Sequence, residues 1–305
     1  MKRALALLAL LAGGVAAAPM ADPDPPFDNS RTEAIAGVAV HVRHWPSAGA
    51  GCPVLLVHGF GGSTFSFRHL APALAEAGHP VWALDLPAYG YSAREPFPGT
   101  AGEALGPWLA ARHPGPWCLL GHSMGTRVVA ELVQREPARV AAVAYVSGNP
   151  IPSARELRNR ERFSSPRVRA WFAGIAERRY LRSDRIARLL ERAYGREPTA
   201  EEVEGYFAPL RRPGTALAIM NGYAARWPET PRGPELDRVP SLILWGGADD
   251  WVKPEVADRL QAALPSARRV TIAGAGHSPM ETHPEQTRAA VLALFRDAPA
   301  VASAR

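Results

Sequence analysis

The stretch Cys118-Leu119-Leu120-Gly121-His122-Ser123-Met124-Gly125 constrains this chain more than any other. Its apolar start reads as a buried strand, and Thr126 to Gln134 follows with apolar residues at three-to-four spacing, the pattern of a helix. A strand that becomes a helix within a Gly-x-Ser-x-Gly pattern needs a sharp bend. Gly121 and Gly125 leave room for it, because side chains there would crowd the strand and the helix. The bend lifts the Ser123 hydroxyl out of the fold. Such a hydroxyl is a poor nucleophile in water and becomes useful when a histidine takes its proton.

Three other segments supply what that chemistry needs. Ser241-Leu242-Ile243-Leu244-Trp245-Gly246-Gly247-Ala248-Asp249 is a buried strand ending in glycines and an acid. Arg269 to Ile272 reads as a strand, and it leads into Gly274-Ala275-Gly276-His277. Upstream, Pro53 to Val57 reads as a strand before the turn His58-Gly59-Phe60-Gly61-Gly62. A glycine-rich turn of this kind can aim a backbone N–H at a developing oxyanion.

Strand and helix patterns alternate through most of the chain. Thr32 to Ala36 and Val38 to Trp45 read as an opening hairpin about Gly37. A helix over Ser66 to Ala77, a strand over Val81 to Leu84, a helix over Ala101 to Arg112 and a strand over Val140 to Val146 follow, with Gly106-Pro107 expected to weaken or split the second helix. This alternation predicts an α/β fold, a mostly parallel twisted sheet with helices on both faces. From Asn149-Pro150 to about Leu236 only helical periods occur: Ser153 to Phe163, Pro166 to Arg179, Arg182 to Ala193, Ala200 to Phe207 and Thr215 to Arg226. Helices over Pro254 to Ala263 and Pro284 to Phe295 complete the pattern. The expected organisation is a core over residues 32–149 and 237–298, a helical insertion over 150–236, and a loose tail over 299–305.

These motifs together resemble the capped α/β-hydrolases of the serine branch. The resemblance rests on His58-Gly59-Phe60-Gly61-Gly62, Leu84-Asp85-Leu86-Pro87-Ala88-Tyr89-Gly90-Tyr91-Ser92, the serine bend, Trp245-Gly246-Gly247-Ala248-Asp249 and Gly276-His277-Ser278-Pro279. The order Ser, Asp, His is the one expected of that family. The resemblance implies Ser123 as nucleophile, His277 as general base and Asp249 as the acid that orients the imidazole. The family spacing selects Asp249, with Asp250 as the runner-up. Phe60 and Met124 are the implied oxyanion donors through their backbone N–H groups. His122 is expected to be structural, His283 to precede a helix, and Asp85 to fix the turn after it. Ala88 departs from the family, whose members usually carry glycine there. The helical insertion stands where the family places its cap, with Trp171, Phe172, Tyr206, Phe207, Tyr223 and Trp227 as candidate pocket walls or cap packing.

The implied activity is hydrolysis of carboxylic esters of small or medium acyl groups through an acyl-enzyme, without metal or organic cofactor. Carbon–carbon bond hydrolases, peptidases releasing N-terminal residues and perhydrolases use the same constellation and stay open. A non-enzymatic binding protein on this fold is the remaining class. Epoxide hydrolases and haloalkane dehalogenases carry aspartate where Ser123 stands. Cys52 and Cys118 fall near the starts of strands that are neighbours in the family's strand order. A disulfide between them and two buried free thiols are the two readings.

Charge and the N-terminus bound the setting. Met1-Lys2-Arg3, an apolar run to Leu11 and small residues to Ala18 make the three-part pattern of a signal peptide over 1–18, with a leader over 19–31. Export to the periplasm or beyond is therefore expected. The formal net charge of the 305 residues is +6, and nearly all basic residues are arginine, concentrated between Arg155 and Arg196. Some have acids at helical spacing, as in Glu156–Arg160 and Asp184–Arg188. A small-molecule substrate is the expected partner. No nucleic-acid partner is expected, nor is contact with a membrane surface, because these charges can pair locally; the oligomeric state is left open.

Overall fold

The computed structural model describes residues 25–152, 164–179, 181–224, 231–296 and 298. The expected signal peptide, the helix over Ser153 to Phe163 with its Glu156–Arg160 pair, Trp227 and the tail over 299–305 lie outside the described residues.

Eight strands form one sheet in the order β1-β2-β4-β3-β5-β6-β7-β8. β1 (Ser30–Ile35) and β2 (Val38–Trp45) make an antiparallel hairpin that turns through Ala36 and Gly37, both at positive φ. β2 is also antiparallel to β4 (Val81–Leu84). From β4 through β3 (Val54–Val57), β5 (Trp117–His122), β6 (Val140–Val146), β7 (Ser241–Gly246) and β8 (Arg268–Ile272) every pairing is parallel. Parallel neighbours need crossovers, and the crossover helices cover both faces of the sheet. That is why β3, β5, β6 and β7 are buried along their whole length.

Alternation along these strands divides the core. Val54, Leu56, Leu120, Ala144 and Leu242 pack with α1 (Leu70–Glu76) and α10 (Pro284–Arg296) on one face. Leu55, Val57, Leu119, Val143 and Ile243 pack with α2 (Ala101–Ala110), α3 (Gly125–Arg135) and α9 (Glu255–Ala263) on the other. Two expected helices differ in detail. The first opens with a 3₁₀ turn over Thr64–Phe67 before α1 begins at Leu70. α2 runs unbroken through Pro107, because the capping box of Thr100 and Glu103 and the burial of Leu105, Trp108 and Leu109 outweigh the lost N–H.

Cys52 and Cys118 form a disulfide with Cα atoms 5.9 Å apart, so the bridge reading holds and the free-thiol reading does not. Cys118 stands opposite Val54 in the β3–β5 register, which brings the two strand starts together. In the chain-entropy model a cross-link closing a loop of this size restricts the unfolded chain by ~4 kcal/mol.

Between β6 and β7 the chain leaves the sheet and forms α4 (Pro166–Arg179), α5 (Ser183–Tyr194), α6 (Ala200–Leu210), α7 (Thr215–Ala224) and the short α8 (Gly233–Leu236). Gly195, at φ +71°, ends α5 in the left-handed conformation that glycine adopts without strain. Thr199 and Glu202 start α6 with a reciprocal capping box.

Candidate active site

The parallel register sets the site. Val57 at the end of β3 pairs with Gly121 near the end of β5, and Gly246 at the end of β7 pairs with Ile272 at the end of β8. The loops after β3, β5, β7 and β8 therefore gather at one edge of the sheet, the carboxyl edge where open α/β sheets bind ligands.

Ser123 sits at the bend between β5 and α3 with φ +49°, a left-handed backbone rare for a residue with a side chain. Its N–H donates to the Val146 carbonyl at 2.9 Å, which ties the bend to β6. A Cβ on Gly121 would lie 2.5 Å from the Gly125 carbonyl oxygen, and one on Gly125 would collide with the Val57 carbonyl. Both positions are closed to larger residues, which is the reason for the sequence pattern.

The structure brings Ser123, His277 and Asp249 into one line. His277 Nε2 is 3.0 Å from Ser123 Oγ, and His277 Nδ1 is 2.9 Å from Asp249 Oδ2. Asp249 is 3% exposed, and its Oδ1 accepts the backbone N–H groups of Trp251 and Val252, each at 2.9 Å. Both carboxylate oxygens are thus engaged, and the imidazole receives a fixed acceptor. Trp251 stacks beside His277 at an interplanar angle of 14°. Asp250, the runner-up acid, points outward and accepts Arg192 Nε at 2.8 Å.

His122 and His58 brace this arrangement. His122 Nε2 donates to the His277 carbonyl at 2.9 Å. Burial, and then the neighbouring His277, push its pKa down to about 3, so it is neutral at ordinary pH. His58 Nδ1 donates to the Gly59 carbonyl at 2.7 Å, and its Nε2 accepts the Leu86 N–H at 3.0 Å. It thereby holds the turn that carries Phe60. Asp85 accepts Thr64 N–H at 2.6 Å, Tyr91 N–H at 2.8 Å and His41 Nδ1 at 2.7 Å, the turn-fixing part expected of it. Ala88 in that turn has φ +77°, which explains why glycine is the usual residue.

Phe60 and Ser123 line a cavity of about 410 Å³, together with His277 and side chains of α5, α6 and α7. Leu181, Ile186, Leu190, Leu210, Ile219 and Met220 belong to its apolar wall, and Tyr206 reaches it too. Trp171 and Phe172 pack edge to face with each other on α4, and Phe207, on α6, packs against the core. Met124 is the N-cap of α3 directly after Ser123, so its N–H stands at the helix N-terminus.

The local motifs carried no sign of how the helical insertion grips the His277 loop. His277 N–H donates to the Ala193 carbonyl of α5 at 2.6 Å. Four residues on, the buried Glu281 carboxylate accepts Tyr194 Oη at 2.8 Å, Tyr206 Oη at 2.6 Å and Arg68 Nη1. Arg68 continues to Glu202 of α6 at 3.0 Å, and Tyr206 also meets Ser66 Oγ at 2.9 Å. Burial raises the Glu281 pKa, against the pull of Arg68 and the two tyrosine hydroxyls.

A second Ser–His–Asp alignment sharpens what the first can do. Ser30 Oγ lies 2.7 Å from His41 Nε2, whose Nδ1 meets Asp85. Ser30 belongs to the regular edge strand β1, and His41 and Asp85 are fully buried. Side-chain alignment is present there without the bend that exposes Ser123.

The fold and this geometry define a class, and comparison with known proteins agrees. Residues 53–284 match the family model described as alpha/beta hydrolase fold, and the chain belongs to that family. It is 30% identical over 248 residues to a pimeloyl-[acyl-carrier protein] methyl ester esterase of Neisseria meningitidis serogroup C, covering 80% of this chain and 92% of that protein. Among solved structures, an alpha/beta hydrolase fold protein from Burkholderia ambifaria superposes with a TM-score of 0.68 at 22% identity, over 88% of this chain and 98% of that one. Epoxide hydrolase A from Mycobacterium thermoresistibile superposes with a TM-score of 0.69 at 24% identity, over 89% and 99%. The chain is an enzyme of the hydrolase class, and its relatives include esterases.

Proposed function

We propose that the protein is an exported serine esterase that cleaves carboxylic esters of small or medium acyl groups. The observation that carries this reading is the Ser123–His277–Asp249 hydrogen-bond line at the wall of an apolar cavity. A cavity of this size suits a small-molecule ligand, and the esterase relatives support ester chemistry. Ser123 Oγ attacks the ester carbonyl carbon while His277 Nε2 takes its proton. The carbonyl oxygen becomes an oxyanion, held by the N–H groups of Phe60 and Met124. Collapse breaks the bond to the leaving alcohol, which takes the proton from Nε2. Water then attacks the acyl-enzyme with His277 again as base, and the acid departs. Asp249 holds the tautomer and stabilises the imidazolium. The helices α4 to α7 act as the cap that selects the acyl group.

A panel of p-nitrophenyl esters of graded chain length, beside an aminoacyl anilide, tests the activity. Turnover is expected on short to medium esters, with fluorophosphonate labelling of Ser123. Turnover of the anilide alone would move the reading to a peptidase. Export is supported by the signal-peptide pattern and by the disulfide, which persists in oxidising compartments. The mature chain is expected to start within a few residues of Ala18, read by N-terminal sequencing. A full-length protein retaining Met1 in the cytoplasm would refute export.

Glu281 gives a further expected outcome. Glu281→Gln keeps the shape but weakens the bonds to Arg68, Tyr194 and Tyr206 that set the His277 loop. Misplacing a reacting group costs up to about 100-fold. A fall in kcat with KM nearly unchanged is expected, with a parallel slowing of fluorophosphonate labelling. Loss of thermal stability with unchanged kcat would make Glu281 a packing residue only.

A further inference from the structure

We infer that the face of the helical insertion around the cavity mouth docks on an anionic lipid surface, so that the esterase draws its substrate from that surface. The inference rests on the proposed activity for its substrate but not for its docking.

Two independent observations meet at this face. The first is where large apolar side chains stay exposed. Among the described residues these are Phe60 (55%), Trp171 (62%), Phe172 (40%), Leu189 (38%), Leu217 (40%) and Trp251 (42%). Phe60, Leu189 and Trp251 line the cavity, so they form its mouth. Trp171 and Phe172 lie on α4, and Leu217 lies on α7 between cavity-lining Ala216 and Ile219. α4 and α7 pack on each other. Three exposed apolar side chains at one mouth, with three more on helices that also line the cavity, mark an interaction surface, whereas scattered ones carry no such meaning.

The second observation is charge. Residues 166–197 contain nine arginines and four acids, which leaves five of the chain's six net positive charges on this short stretch. Arg167, Arg178, Arg179, Arg182, Arg185, Arg188 and Arg192 are exposed on α4, α5 and the link between them. Local pairing is real but incomplete as neutralisation. Arg182 and Arg188 share Asp184, and Arg192 pairs with Asp250. The excess of five counts Asp184 but not Asp250, nor Glu202, which pairs with Arg196; with those two acids from outside the stretch included, an excess of three positive charges remains.

Charge and apolarity together select the occupant. An acidic soluble protein would use the arginines but would leave Trp171 and the apolar mouth without a partner. A neutral lipid surface would use the apolar rim and ignore the arginines. An anionic bilayer uses both, since arginines sit at the headgroups while tryptophan and leucine enter the acyl boundary. Docking in this pose places the cavity mouth on the membrane, and an acyl ester can enter the apolar cavity without crossing water.

Flotation with vesicles tests this directly. The mature protein and its Ser123→Ala variant are mixed with vesicles of phosphatidylcholine, or of phosphatidylcholine with phosphatidylglycerol. Both proteins are expected to float with the anionic vesicles and not with the neutral ones. Raising salt from about 0.1 M to about 1 M shortens the screening length from ~10 to ~3 Å and should release them. The combined variant Arg178→Gln, Arg179→Gln, Arg185→Gln is expected to bind about 100-fold more weakly, and Trp171→Ala about tenfold more weakly. These four residues do not line the cavity, so turnover of a soluble ester should be unchanged in both variants. Docking is overturned by no flotation with anionic vesicles, by equal flotation with neutral ones, or by full binding of the triple variant. Salt-sensitive association with an acidic protein in place of vesicles overturns it as well. Absent ester turnover in a protein that still floats counts against the esterase reading alone.

Discussion

Ser123→Ala is expected to reduce ester turnover by about a millionfold, because residues that act as one nucleophilic unit lose nearly the whole covalent route when either attacking member is removed. His277→Ala should cost about as much. The fold should survive Ser123→Ala, since the bend is held by the Ser123 N–H bond to Val146 and by the space at Gly121 and Gly125, none of which involves the hydroxyl. The measurement is turnover of a p-nitrophenyl ester beside a thermal melt. A Ser123→Ala protein that melts like the parent and retains turnover within tenfold of it would end the acyl-enzyme reading.

Asp249→Asn should cost about 10⁴-fold in kcat, and the structure explains why an isostere cannot serve. Asp249 accepts on both sides: Oδ2 faces His277 Nδ1, and Oδ1 faces the N–H groups of Trp251 and Val252. An amide has one accepting oxygen. If its NH₂ faces His277, the imidazole must take the wrong tautomer and Nε2 can no longer accept the serine proton. If the amide turns over, its NH₂ meets two backbone donors. Asp250→Asn loses only an exposed pairing with Arg192 and should leave kcat nearly unchanged, for exposed pairs contribute little. Reversed ranks for the two variants would show that Asp250 is the acid.

What the sequence made legible was local. The glycines around Ser123, the buried runs of β3, β5, β6 and β7 and the Gly-His loop leave their marks within a few residues, so the sheet and the three aligned side chains could be read from spacing and family order. The grip of Ala193, Tyr194 and Tyr206 on the His277 loop could not. Glu281 meets Arg68 213 positions away, and nothing in either neighbourhood names the other. The two cysteines fall between these cases, because their pairing depends on a register that only the parallel sheet supplies. The Ser30–His41–Asp85 alignment shows the converse. Three suitable side chains met through sheet pairing with no motif to announce them, and with no bend to make the serine attack.

The bond from His277 N–H to the Ala193 carbonyl has a consequence for how such enzymes can be altered. The helices that shape the substrate cavity also hold the backbone of the proton acceptor. Exchanging the whole insertion for that of another hydrolase, in order to import its substrate preference, would detach the base along with the old specificity. A graft that keeps the stretch from Ala193 through Tyr206 and replaces only α4 and α7 separates the two. The modular boundary for engineering therefore runs inside the insertion rather than at the points where it leaves and rejoins the sheet.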